Sequence, residues 1–254
     1  MNLEGLEVQT LIGSGAFGDV QLVVRKKDKK KFALKDMDRK KLMRDKKLVS
    51  IYREKHILKL LDHKNIIHLE GSFENQDHIY LLLELVEGDD LREVLDKNKR
   101  LEPHVVQHVL KELLHALGYM HDMGIFHADI KPHNVMVTTD WTVKLVDFGS
   151  SNYFKVTEKN KEVVAAIEKF TKRFEPQEID DFNGTSYYAS PELLDISKNS
   201  WQDDIWSLGV MLYQMLAGKL PFEGETEPQT FAKVAQMSYE KKPEVVVAND
   251  VGNM

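Results

Sequence analysis

The 254-residue chain contains no cysteine, which excludes a disulfide framework and sets the expectation of an intracellular, cytoplasmic protein. No apolar run reaches the roughly 18 residues that a membrane span requires, so no transmembrane segment is expected, and the N-terminus lacks a signal peptide's charged-then-apolar pattern. Low-complexity linkers and internal repeats are also missing. Charge of either sign is not evenly mixed. Between Arg25 and Lys47 stand thirteen Lys/Arg against four Asp/Glu, a local +9, although the whole chain carries −6. That run lacks the interleaved series of aromatics that stacking on bases requires, so no nucleic acid partner is expected. It reads either as a solvated hairpin and helix edge or as a docking surface for an acidic or phosphorylated partner or an anionic membrane. What is present, 42% hydrophobic residues, suffices for a substantial core in one or two lobes.

The chemistry is concentrated in the stretch His127-Ala128-Asp129-Ile130-Lys131-Pro132-His133-Asn134 and in Asp147-Phe148-Gly149, which begins thirteen residues after Asn134. A carboxylate, an ammonium and a carboxamide on one short loop, with a second carboxylate just beyond, form the set that phosphoryl transfer needs. Asp129 would accept a proton from an attacking hydroxyl, Lys131 would steady the moving phosphoryl group, and Asn134 with Asp147 would hold magnesium. Near the N-terminus, Gly13-Ser14-Gly15-Ala16-Phe17-Gly18 lies between strand-like runs at 6–12 and 20–24. Glycines there let a hairpin close over a nucleotide and present N–H groups to phosphates. A following strand, in place of a helix, disfavours a dinucleotide site. Phe32-Ala33-Leu34-Lys35 then reads as a strand with one inward Lys, the natural clamp for the α- and β-phosphates of ATP.

Taken in order from about Leu6 to about Ser238, these residues resemble the eukaryotic protein kinase family, and Lys131 with the Gly184-Thr185 pair places the resemblance in its serine/threonine type. The resemblance implies an α+β bilobal fold over 1–254: a small β-rich N-lobe with one main helix (1–84) and a larger helical C-lobe (85–254) that lacks the family's last helices. Glu54, on a helical run at 48–61, matches the partner of the strand lysine. Val20 and Ala33 match positions around the nucleotide, Leu83 the gatekeeper, Glu84 to Val86 the adenine-binding hinge, and Asp90 the ribose contact, although an Asp before Leu91 equally suits a helix cap. Asp204 matches the aspartate that buttresses the catalytic loop. Ser190-Pro191-Glu192-Leu193-Leu194, Ile205 to Gly218 and Tyr52 to His63 are similar to the phosphoinositide-dependent protein kinases. That likeness implies a kinase-activating signalling role and an N-lobe pocket for a partner's hydrophobic or phosphorylated tail, at Leu42, Met43, Leu48 and Ile51 with Lys55 near the phosphate; four apolar residues around a helix are also what plain core looks like. A protein substrate with Ser or Thr, ATP and Mg²⁺ follow. The alternative is a pseudokinase, a nucleotide-binding scaffold without turnover. A small-molecule kinase of similar fold would lack the Gly-Thr…Pro-Glu segment.

Several departures from the family pattern carry weight. Ala128 replaces the arginine that normally receives an activation-segment phosphate, and Asp181 stands where the subfamily has its activating phosphoserine, so activity independent of that phosphorylation is expected. A drifted, solvated Asp181 is the other reading. His133 replaces a glutamate that basophilic kinases use against substrate arginines. The activation segment, 46 residues from Asp147 to Glu192, holds an insertion around 153–174 in which Val163, Ile167, Phe170 and Phe174 form one helical apolar stripe, to be buried most simply against this domain. The family's cation partner for Glu192 lies past the last residue here, so a buried Glu192 would need a substitute.

Overall fold

A computed structural model describes residues 2–15, 18–172, 186–196 and 200–239. A 3-10 turn at Leu3–Gly5 leads into strands β1 (Leu6–Gly15), β2 (Gly18–Arg25) and β3 (Lys31–Asp38), then helices α1 (Arg39–Arg44) and α2 (Leu48–Leu60), and strands β4 (Leu69–Glu74) and β5 (His78–Glu84). The five strands form one antiparallel sheet in the order β1-β2-β3-β5-β4. Alternation explains its two faces. Phe32 and Leu34 point to one side, where they join Leu6, Val23, Tyr80 and Leu82 in a small core. Lys35 and Met37 point to the other, towards α2 and the main core. The glycine loop extends β1 and β2, pairing Gly15 with Gly18. Gly18 is required by packing: a β-carbon there would stand 2.1 Å from the carbonyl oxygen of Asp36 on β3.

The second lobe contains β6 (Gly88–Asp90), α3 (Leu91–Asn98), α4 (Pro103–Asp122), β7 (Ile125–Phe126), a 3-10 turn at Pro132–Asn134, β8 (Val135–Thr138), β9 (Val143–Leu145), β10 (Asn152–Tyr153), α5 (Lys161–Thr171), a second such turn at Ser186–Tyr188, α6 (Pro191–Ile196), α7 (Trp201–Ala217) and α8 (Glu227–Ala235). The long α4 starts with Pro103 at its first position, where a missing N–H is harmless. It buries Val106, Val109, Leu113, Ala116, Leu117 and Met120 along one stripe. Ser200 and Asp203 form a capping box at the start of α7, and Gly218 ends it with φ 72°, a left-handed C-cap. No helix among the described residues is long and apolar enough to cross a membrane.

The two lobes meet through the connection from α2 to β4. Asn65 donates its side-chain amide to the carbonyl of Val143 at 2.8 Å, its own carbonyl accepts from Leu145 N at 2.8 Å, and Ile67 N donates to the carbonyl of Leu145 at 2.9 Å. The base of α2 is thereby pinned to β9.

Three of the four residues expected around a tail pocket belong to the core: Leu42, Leu48 and Ile51 are buried, while Met43 is 56% exposed. Leu42, Leu48 and Ile51 are all members of the main core on helices α1 and α2. Leu42→Ala should therefore cost about 2–5 kcal/mol in unfolding free energy. Met43→Ala should stay within about 0.5 kcal/mol. Denaturant titration of the two variants beside wild type distinguishes core from pocket, since pocket residues would give two small effects.

Candidate active site

The period of β3 sets the first part of the site. Ala33 and Lys35 share a face, with Val20 opposite Lys35 on β2 and Leu83 opposite Ala33 on β5. Lys35 extends its ammonium to Glu54 of α2, 2.8 Å from Oε1 and 3.1 Å from Oε2, and lies 3.5 Å from Asp147 Oδ1. The Glu54 carboxylate is 2% exposed and the Lys35 side chain 12%. Desolvation alone would lower the Lys35 pKa, but Glu54 and Asp147 outweigh it and hold the ammonium charged well above its ordinary range. Burial pushes Glu54 up, against the pull of Lys35. The Asp147 side chain is 46% exposed. Surrounding protein pushes its carboxyl up, yet Lys35 and His127 prevail and hold it below the ordinary carboxylate value.

The second part is the loop from His127 to Asn134. Asp129 Oδ2 receives Lys131 Nζ at 2.8 Å and Asn134 Nδ2 at 2.9 Å, and the same amide donates to the Asp129 carbonyl at 2.7 Å. Asn134 thus commits its N–H groups to the loop, and its Oδ1 is the atom with metal-donor chemistry. The loop is held from below by Asp204 at the start of α7, which accepts from His127 N at 2.9 Å and Ala128 N at 2.8 Å and lies 2.9 Å from His121 Nε2. Ala128 has φ 67°. A β-carbon in the left-handed region costs about 1–2 kcal/mol, and hydrogen bonds to a carboxylate offset it. Asp147 is also left-handed, φ 58°, which turns its carboxylate away from Phe148. Phe148 is fully buried and packs edge-on against His127, ring centroids 4.9 Å apart.

Other positions resolve as follows. Asp90 caps α3, accepting from Glu93 N at 2.8 Å. Glu84 turns its carboxylate to His68 N at 2.8 Å and to Lys144 Nζ at 2.6 Å, so the start of the hinge is tied to β9. Val86 is half-buried against the main core. Ser14 donates to Asp19 at 2.6 Å across the glycine hairpin. Ala16 and Phe17 lie outside the described residues, as do Phe174, Asp181, Gly184 and Thr185. Glu192 is exposed, so the condition under which it would need a substitute cation does not arise. Ser190 has a clear role: its hydroxyl donates to buried Asp203 and accepts from Leu193 N at 3.0 Å, fixing the start of α6.

Sequence reasoning missed Lys144 as the hinge's ion-pair partner, because its run gives no sign of a cross-lobe contact. Tyr52 was another omission as a contact residue. It stacks on Phe170 of α5, ring centroids 3.8 Å apart, and only the apolar stripe of α5 signalled that such a partner existed.

Comparison with known proteins agrees with this arrangement. The model for the family described as "Protein kinase domain" matches residues 6–250. The chain is 35% identical over 228 residues to the 3-phosphoinositide-dependent protein kinase B of Dictyostelium discoideum, covering 90% of this chain and 24% of that protein. It is 32% identical over 235 residues to the serine/threonine-protein kinase PKH2 of Saccharomyces cerevisiae, covering 92% and 21%. To the 3-phosphoinositide-dependent protein kinase 1 of Arabidopsis thaliana it is 31% identical over 228 residues, covering 90% and 45%. The chain spans less than half the length of these relatives. With the lysine–glutamate pair, the interlocked loop and the matched order of motifs all in place, the chain belongs to the protein kinase family, in its serine/threonine branch.

Proposed function

We propose that this chain is the catalytic domain of an ATP-dependent serine/threonine kinase, with 1–84 covering the nucleotide and 85–254 carrying the catalytic loop, and that it phosphorylates protein hydroxyls. One observation carries the reading: Lys35, Glu54 and Asp147 meet within 3.5 Å while Asp129, Lys131 and Asn134 interlock on the facing loop. Adenine would rest on the hinge from Glu84 to Val86 beside Leu83, Val20 and Ala33, with Asp90 at the ribose side. The phosphates would lie under Gly13 to Gly18, close to the backbone N–H groups of that hairpin. Lys35, charged and oriented by Glu54, grips the α- and β-phosphates.

The donor set fits magnesium. Asp147 offers an ionised, half-exposed carboxylate and Asn134 a carbonyl oxygen, and a magnesium site needs only one or two protein oxygens beside phosphates and water. When bound, the ion would neutralise charge on the phosphate oxygens. Asp129 orients the substrate hydroxyl and accepts its proton. Lys131, which pairs with Asp129, would steady the charge that develops on the transferred group. Positioning and electrostatics supply nearly all of the rate enhancement.

Two features support activity without activation-segment phosphate. Ala128 brings no cation that a phosphate must neutralise, and the loop gets its order from Asp204 and from its own Asp129–Asn134 bonds. Kinship with the phosphoinositide-dependent kinases supports a signalling role.

Radiolabel transfer from γ-labelled ATP to a Ser/Thr peptide pool tests the reading. Asp129→Asn should lower turnover about 100- to 10,000-fold while nucleotide affinity by calorimetry persists; Asp147→Asn should lose the magnesium-dependent part of that affinity. Nucleotide binding without any Asp129-dependent transfer would instead make the chain a scaffold. For phosphorylation, phosphatase-treated protein, verified by mass spectrometry, should keep the rate of untreated protein; a rate that falls with phosphate removal would sink the independence.

A further inference from the structure

The described part of the activation-segment insertion is built into the fold on both the C-lobe and the N-lobe side. On the C-lobe side, Asn160 is buried just before α5. Its side-chain amide donates to the carbonyls of Met123 and Lys155, both at 2.8 Å, and its Oδ1 accepts from Thr157 N at 2.7 Å. Phe154 N donates to the carbonyl of Gly124 at 3.0 Å, and β10 pairs with β7. Gly124, φ 74°, allows this approach, since a β-carbon there would stand 2.7 Å from the Lys155 carbonyl and 2.8 Å from the Asn160 amide. The amino end of α5 is thus riveted to the end of α4.

On the N-lobe side, α5 buries Val164 and Ile167 and stacks Phe170 on Tyr52 of α2, with rings inclined by 23°. Tyr52 is held from every direction. Lys55 Nζ lies 5.1 Å from its ring centroid, its hydroxyl donates to Glu74, and Arg39 Nη2 donates to that hydroxyl at 3.3 Å. Tyr153 adds a bond from its hydroxyl to Glu168 of α5 at 3.3 Å.

The geometry of α2 gives these contacts a consequence. Successive helical residues turn by about 100°, so Tyr52 and Glu54 stand about 200° apart, on opposite sides of the helix axis. Phe170 therefore bears on the side of α2 facing away from Lys35, while Glu54 is held on the other by the lysine. A helix gripped on one side by a strut anchored in the C-lobe, and on the other by an ion pair, has no free path outward.

We infer that α5 is a built-in strut that holds α2 where Glu54 reaches Lys35, with Phe170 and Ile167 as positioning residues for phosphoryl transfer. This rests on the reading of the chain as a kinase. The face of α2 carrying Tyr52 and Lys55, beside which a partner's tail was expected, takes up this chain's own aromatic residue.

The test uses the absence of native cysteine. Spin labels at Lys47→Cys, the half-buried residue that caps the start of α2 at the end away from β9, and at exposed Lys111→Cys on α4 report the position of α2 by electron–electron resonance without reference to activity. Phe170→Ala should broaden or lengthen that distance and lower kcat by about tenfold, with Phe170→Leu giving a milder form in a variant that keeps the volume. Phe170→Tyr, which preserves the stacking, should restore both readouts, and outward-facing Lys169→Ala should change neither. Because Phe170 acts through Glu54, its loss should add little to the rate defect of Glu54→Gln. Unchanged distances in both Phe170→Ala and Phe170→Leu would overturn the strut, as would defects that multiply fully with Glu54→Gln. Should wild type show no transfer at all, the catalytic reading fails, and the label distances still decide whether α5 holds α2.

Discussion

The contact between Lys35 and Glu54 is the constraint on which the rest of the site depends. It joins the middle strand of the sheet to α2, and neither charge is accessible enough to be solvated without the other. Breaking such a buried pair by removing one partner typically costs about 3–5 kcal/mol, because the remaining charge stays desolvated. Its consequences spread along α2. Leu58, one turn beyond Glu54, joins Phe148 and Leu69 in the main core, and Phe148 in turn packs on His127. The helix carrying Glu54 and the segment carrying Asp147 thus share one core, which also reaches the catalytic loop through His127.

A different kind of carboxylate secures the other half. Asp204 accepts from two backbone N–H groups and lies within hydrogen-bonding distance of a histidine, and all these donors belong to α4 or to the loop that follows it. Backbone donors do not have rotamers to sample, so this anchor is stiff, and it holds Ala128 in a conformation that a β-carbon disfavours. Glu54, by contrast, pairs with a flexible side chain across two elements that meet only through packing. Of the two anchors, the lower is rigid and the upper, on α2, is adjustable. That is where α5 sits.

Much of this was legible in the chain itself. Glycine hairpin, strand lysine, helical glutamate, catalytic loop and Asp147-Phe148-Gly149 are local patterns whose spacing carries their meaning, and the structure places Lys35, Glu54 and Asp147 together. Helix α5 was also visible as a stripe, although Val164 was not counted in it and is buried. What could not be read were contacts between segments distant in sequence: Tyr52 with Phe170, Lys144 with Glu84, Asn65 with Val143. Apolar and ionic periodicity tells which face of an element is buried, not against what. The same limit explains Leu42, Leu48 and Ile51, whose spacing suits a groove or a core equally and which the fold uses as core. Asp90 shows a third case: an Asp before Leu91 suits a helix cap and a ligand position equally in sequence, and the structure shows it as the cap of α3.

The replacement of arginine by Ala128 and the presence of α5 point in the same direction. A phosphate on an activation segment does two things: it neutralises a cation beside the catalytic loop, and it gives an otherwise loose segment a fixed attachment. On the reading proposed above, Ala128 would remove the need for the first. For the second, the described ends of the segment are attached by bonds that involve no phosphate. At its start the segment is held by Ser151 Oγ donating to the carbonyl of His127 at 3.2 Å, by pairing of β10 with β7, and by Asn160. At its end, Tyr188 donates to Gln214 at 2.6 Å, Ser207 donates to the carbonyl of Tyr188 at 2.8 Å, and Ser190 bonds Asp203. Most of these attachments are bonds between neutral groups, or contacts buried from solvent, and are little affected by the salt screening that weakens exposed charge pairs. The independence from modification proposed above therefore rests on attachments within 147–172 and 186–192 that folding alone supplies.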